Sequence, residues 1–174
     1  MGALEMKIDF DPKTKTLYIF GSSVTVHCNH YITNLLKMID SSPYVDGGMI
    51  MYEASERVAK KHLIRIFEKN SISSMQDRIS AAEQLFSKLG FGVLNFKLVN
   101  GEAVEVVSPY GFIPESWKMQ NGRRKDPVCY FTSGYIAGAL EAIYDVPPGL
   151  YEVYETGCMA CGGDICKFII KPPV

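Results

Sequence analysis

The chain has 174 residues, of which 47% are hydrophobic and 21% charged, with a formal net charge of −1. That length supports one domain with a proper core and leaves little for two, so a single domain over 1–174 is expected. The charge balance argues against a nucleic-acid surface, since the one basic run, Arg123-Arg124-Lys125, is short.

Residues 7–10 (KIDF) and 16–20 (TLYIF) flank the turn-rich DPKTK and predict a hairpin. After Gly21 a serine pair is expected to cap a helix carrying Cys28, Ile32, Leu35, Leu36 and Ile39 at helical spacing. A second helix is predicted from about Met49 to Phe67, with Met51, Ala54, Val58, Ala59, His62, Leu63 and Ile66 on one face. Ser74 with Asp77 opens a third, running through Leu85 to Leu89 and stopped by Gly90. The period then changes: GVLNFKLV and EAVEVV flank Asn100-Gly101, a strong hairpin signal.

Residues 109–127 show no periodicity, hold three prolines and are expected to form a functional or mobile loop. A fourth helix is predicted over about 128–144, with Gly134 and Gly138 one turn apart so that another backbone can approach. Two strands, 150–156 and 165–170, enclose a cysteine-rich turn. Strands joined as neighbours rather than through βαβ crossovers predict an α+β fold, helices packed on an antiparallel sheet.

No stretch approaches the roughly 18–20 apolar residues of a membrane span. The opening MGALEMKIDFDP lacks the basic and apolar regions of a signal peptide, so a cytoplasmic location is expected. Thiols stay reduced there, and clustered cysteines read as a metal site or reactive thiols before disulfides.

The segment YETGCMACGGDICKF concentrates three of the five cysteines. Glu155, Cys158 and Cys166 can supply three ligands from one hairpin, and Gly162-Gly163 frees the backbone to fold around an ion. Cys129, at the head of the fourth helix, is the best candidate for a fourth. Cys161 leaves a second option open: with Cys129, Cys158 and Cys166 it makes an all-thiolate set suited to zinc or an iron–sulfur cluster. Buried inert thiols are the bland alternative.

Val128 to Phe168 resembles the C-terminal core of the 4-vinyl reductase-type, hydrocarbon-binding domain family, which also lies within the sensor regions of phenol-responsive activators. The resemblance rests on Cys129, Gly134-Tyr135-Ile136-Ala137-Gly138, Glu155-Thr156-Gly157-Cys158, Gly163-Asp164-Ile165-Cys166 and Phe168, and is most recognisable over 128–170. It implies structural zinc on Cys129, Glu155, Cys158 and Cys166. It also implies the ligand-binding fold of the NO-signalling and Golgi-transport type, shared with TRAPP-type trafficking subunits, often dimeric and with an apolar pocket.

His62 lies on the apolar face of the second helix and is the natural polar anchor if that helix lines a cavity. Met51, Val58, Ile66, Leu85 and Leu89 are its expected neighbours, with Tyr110, Phe112 and Trp117 of the proline-rich segment as a lid. His27, Cys28 and His30 invite a second metal site, but the plainer reading is exposed or capping histidines beside a core cysteine. No nucleophile elbow, phosphate loop or dinucleotide fingerprint is present.

The reading favoured is a zinc-containing domain that binds a hydrophobic or aromatic small molecule as a sensor, carrier or accessory subunit. Expected partners are that ligand, a second copy of the chain and a downstream protein. The alternatives are an accessory enzyme or assembly factor in tetrapyrrole or cofactor metabolism, and a dimeric interaction scaffold.

Overall fold

The structure, a computed structural model, describes residues 7–99 and 102–171. The elements in chain order are β1 (Ile8–Asp11), β2 (Thr16–Ile19), β3 (Ser22–Val24), α1 (Asn29–Asp40), α2 (Gly47–Lys69), α3 (Met75–Lys88), β4 (Gly92–Val99), β5 (Glu102–Gly111), α4 (Phe112–Asn121), α5 (Tyr130–Tyr144), β6 (Glu152–Gly157) and β7 (Cys166–Lys171). Strands β1-β2-β3 form a three-stranded antiparallel sheet, and the larger sheet has the order β4-β5-β7-β6, also antiparallel. The fold is α+β. The Asn100-Gly101 turn lies outside the described residues.

Two segments differ from expectation. Ser22 and Ser23 cap no helix; they lie in β3, paired with Ile19 and Tyr18. The cause is the two-residue turn Phe20-Gly21, with φ of 51° and 79°. Successive positive φ values match the twist of antiparallel strands, so the chain turns back before any helix starts. Helix α1 begins later, with Cys28 at its N-cap and no side chain capping it. The second difference is 109–127, which is no loop: β5 runs on to Gly111 and α4 follows at once. Pro114 hid this helix. It sits in the first turn, where a missing N–H costs nothing because those groups have no intrahelical acceptor.

Helix α5 is buried from Thr132 to Ile143. It packs on α2, α3 and β6 and so forms the centre of the molecule. Its contact with α2 is backbone to backbone: a Cβ on Gly134 would land on the Tyr52 carbonyl, and one on Gly138 on the Glu56 carbonyl. Tyr135, between them, reaches away to donate to the Ala82 carbonyl of α3 at 2.8 Å and stacks 4.9 Å from Phe86.

The α2–α5 seam also buries a carboxylate pair. Glu56 and Glu141 are 5% and 0% exposed. Glu141 Oε1 accepts from the backbone N–H groups of Gly149 and Leu150, but Glu56 Oε1 and Glu141 Oε2 have no donor. A single proton held between the two side chains satisfies both. Accordingly the pKa of Glu141 is pushed up to about 7, by burial first and by the Glu56 charge second.

Gly138→Ala should destabilise the protein by about 3 kcal/mol, because the methyl meets rigid backbone; chemical denaturation measures this. Glu141 makes a separate contribution to stability, present in full below its ordinary pKa of 4.5 and lost as the pH rises through about 7. Glu141→Gln keeps the Oε1 acceptor and gives Glu56 a permanent donor. The variant should therefore melt higher than the parent above neutral pH and lose its advantage in acid, as thermal denaturation across that range will read.

Candidate functional site: a cysteine cluster and an apolar cavity

Alternation along β7 turns Cys166, Phe168 and Ile170 inward. Its register with β6 sets Glu155 opposite Phe168 on the same inner face, and a bulge between Glu155 and Gly157 then shifts the pairing. Such a bulge redirects the strand end. The chain passes Cys158 into a 3-10 turn, Met159–Cys161, and returns through Gly162 at φ 95°, where a side chain would be strained. The backbone N–H groups of Cys161 and Gly163 both donate to the Cys158 carbonyl at 3.0 Å, which closes a tight knuckle.

Four ligand atoms meet under this knuckle. One from each of Cys129, Glu155, Cys158 and Cys166 lies within 4.8 Å of every other, and the group can hold a metal ion. The sulfurs of Cys129 and Cys166 are 3.7 Å apart, against about 3.8 Å for two thiolates on a tetrahedral zinc with bonds of about 2.3 Å. Glu155 Oε2 accepts from the Cys129 backbone N–H at 3.0 Å, while Glu155 Oε1 is buried with no partner. An orphaned carboxylate oxygen beside three thiols is what a cation would satisfy.

The electrostatics agree. Burial, then the Cys158 charge, pushes the Glu155 carboxyl up to about 8. Burial, then its contacts with Cys158 and Cys166, holds the Cys129 thiol high. Cys158 is shifted low, by hydrogen bonds from Cys129 and Cys166 before any other cause. Four acidic groups in this volume ionise together only around a cation.

Cys161 stands outside that group, half-buried on the outer side of the knuckle. The basic run that looked too short for nucleic acid clamps this turn instead. Arg123 Nε donates to the Cys161 carbonyl at 2.7 Å, and the Arg124 backbone N–H to Ala160 at 2.9 Å. The Arg124 guanidinium lies 4.5 Å over the Trp117 ring and pairs with Asp40 at 3.1 Å. His27, Cys28 and His30 are all exposed, and among the described residues they form no metal-ligating group. His27 is hydrogen-bonded to Thr25 Oγ1 at 2.8 Å and stacks on Tyr31.

A cavity of about 510 Å³ lies on the other side of α5. Helix α2 contributes Ser55, Val58, Ala59 and His62, and α3 contributes Leu85 and Leu89. Phe91, Phe112, Phe131 and Tyr135 form an aromatic wall, with Phe91 and Phe131 stacked at 4.4 Å. The remaining side is the β2–β3 segment, from Ile19 through Val26. Of the expected pocket residues, Val58, His62, Leu85 and Leu89 meet here and Met51, Ile66 and Trp117 do not. Trp117 is held in α4 beneath Arg124, so the expected lid is not a lid; the turn at Phe20-Gly21 supplies that wall, and no local sequence signal points to it. The Tyr135 and Ser55 hydroxyls are already committed to backbone carbonyls, leaving His62, half-buried, as the polar group on α2.

Comparison with known proteins accords with this layout. Residues 115–172 match the family model of the 4-vinyl reductase domain, which bears out the resemblance read from the sequence. Two uncharacterized Methanocaldococcus jannaschii proteins are similar, at 32% identity over 62 residues and 45% over 47; these cover 36% and 27% of this chain. The matches span only about a quarter of those relatives' lengths (27% and 24%). Among solved structures, the phenol-responsive sensory domain of the transcription activator PoxR, solved with phenol, superposes with a TM-score of 0.77 at 15% identity, over 95% of this chain and 84% of that one. A vinyl-4-reductase family protein from Methanocaldococcus jannaschii gives 0.53 at 17% identity, over 89% and 87%. A trafficking protein particle complex subunit 3 from Naegleria fowleri, covalently bound to palmitic acid, gives 0.53 at 14%, over 83% and 93%. The chain shares their fold.

Cys158→Ser and Cys166→Ser should each lose a bound metal and melt far lower, whereas Cys161→Ser should keep the metal and lose little stability. Elemental analysis beside thermal denaturation separates the two outcomes. Because Trp117 is tied to the knuckle through Arg124, chelation of the metal should change tryptophan emission, and a phenol entering the cavity should not.

Proposed function

We propose that the chain is a single small-molecule-binding domain, braced by zinc on Cys129, Glu155, Cys158 and Cys166, that serves as a sensor, carrier or accessory subunit for a hydrophobic ligand. The observation that carries this reading is the apolar cavity of about 510 Å³ with one half-buried histidine on its α2 wall. Small-molecule sites are concave, mostly apolar and oriented by a few polar groups. The fold shared with the phenol-bound sensory domain supports it.

Zinc is favoured over an iron–sulfur cluster because the converging set contains a carboxylate and leaves Cys161 out. With four protein ligands the ion has no open position, so its role is to hold the knuckle. Among the described residues no helix is long and apolar enough to cross a membrane. A bound state is passed on through a second copy of the chain or another protein.

Native mass spectrometry of the protein as purified should show one zinc per chain, a dimer mass and a retained apolar ligand. Iron with sulfide would overturn the zinc assignment. Added 4-nonylphenol should raise stability by about 2.7 kcal/mol at a hundredfold excess over its dissociation constant. Val58→Trp fills the cavity from a side chain that is 55% exposed, so it should fold normally yet lose that rise. A rise of equal size in the variant would place the ligand elsewhere.

A further inference from the structure

The apolar cavity does not end at His62. A second, polar cavity of about 310 Å³ opens beside it, and His62 and Phe20 line both. Its walls carry Lys7, Arg65 and Lys69 against one carboxylate, Asp9. Lys7 and Asp9 pair with each other at 3.3 Å. Among the described residues Arg65 and Lys69 have no ion-pair or hydrogen-bond partner for their side chains. They stand at i and i+4 on α2, and His62 lies one turn before Arg65 on the same side. Two free cations therefore flank the polar end of a cavity that is otherwise apolar.

Phe20 is the hinge between the two spaces, and it is held in a conformation that a phenylalanine rarely adopts. Its φ is 51°, in the left-handed region, a cost of order 1 kcal/mol or more for a bulky residue. Glycine or asparagine would serve the turn better. What a phenylalanine provides is an aromatic ring at the boundary between the cavities.

We infer that the ligand is an amphipathic monoanion, an apolar chain or ring lodged between α2, α3 and α5, with its carboxylate beyond His62 and Phe20, against Arg65 and Lys69. This rests on the ligand-binding reading and narrows it from hydrophobic molecules in general to hydrophobic acids. His62 fits the role of gatekeeper. Burial, then the charges of Arg65 and Lys61, lower its pKa, so the ring is neutral at the cavity wall until an anion arrives. The charged groups around it are Lys61, Arg65 and Lys69 on α2 and Lys7 and Asp9 from the β1 side.

The test compares dodecanoate with 1-dodecanol, which share the chain and differ in the head group, by calorimetric titration below their aggregation limits. Dodecanoate should bind roughly tenfold tighter, as charge-assisted hydrogen bonds to one or two cations would give, with the preference shrinking at high salt. The exposed double variant Arg65→Ala/Lys69→Ala should lower dodecanoate affinity to that of dodecanol and leave dodecanol unchanged. Lys61→Ala, an exposed cation on the same helix outside this cavity, should keep the preference. In NMR titrations saturating dodecanoate should raise the His62 pKa, and dodecanol should not. Equal binding of the two probes, or a preference that survives the double variant, overturns the head-group inference and leaves the apolar cavity standing. Binding of neither probe overturns both.

Discussion

Every functional element in this molecule depends on how closely α5 lies against α2. Two glycines one turn apart let the carbonyls of Tyr52 and Glu56 occupy the space that β-carbons would need. No other side chain allows that separation. The contact fixes where the head of α5 comes out, and Cys129 is at that head. It also fixes the spacing between α2 and the aromatic residues near the start of α5, Phe131 and Tyr135, which are cavity wall. A thiol ligand and a cavity wall thus share one rigid element.

The sheet completes the arrangement from the other side. The pairing of β7 with β5 brings Cys166 opposite Ser108, and the pairing with β6 brings Glu155 opposite Phe168. Alternation alone would place Glu155 and Cys166 on the inner face, but it would not bring Cys158 back over them. The bulge and the 3-10 turn do that, and Arg123 and Arg124 fasten the result to α4 and α1. A side chain that reads as surface charge in the sequence is here a structural clamp, since Arg124 is largely withdrawn from solvent beneath Asp40 and above Trp117.

What the sequence disclosed, and what it hid, follows from how local each signal is. The third helix was legible because Ser74 and Asp77 are a local cap, and they bond as such at 3.1 Å. The glycine pair of α5 and the cysteine spacing were legible because each is a short pattern with one physical use. Helix α4 was hidden by a proline that counts against a helix everywhere except its first turn. The third strand was hidden because Phe20 is the wrong residue for its own turn. That misreading carried over to the cavity: the wall was assigned to Trp117, when the residues that close it follow the turn no propensity would predict. Local rules fail where a residue is kept for a purpose other than the local structure.

The β1–β3 sheet pairs with itself and makes few other contacts with the molecule. Strand β1 has no buried residue, and β2 is only half-buried throughout. Segments with so little buried surface open at a small fraction of the global unfolding free energy. The rest of the cavity belongs to helices that cannot move without breaking the α2–α5 contact. Exchange of whatever occupies the cavity is therefore a matter of that thin sheet lifting and reseating. Its local opening rate, rather than the tightness of the helical walls, sets how long an occupant stays and how quickly the domain can respond when its surroundings change.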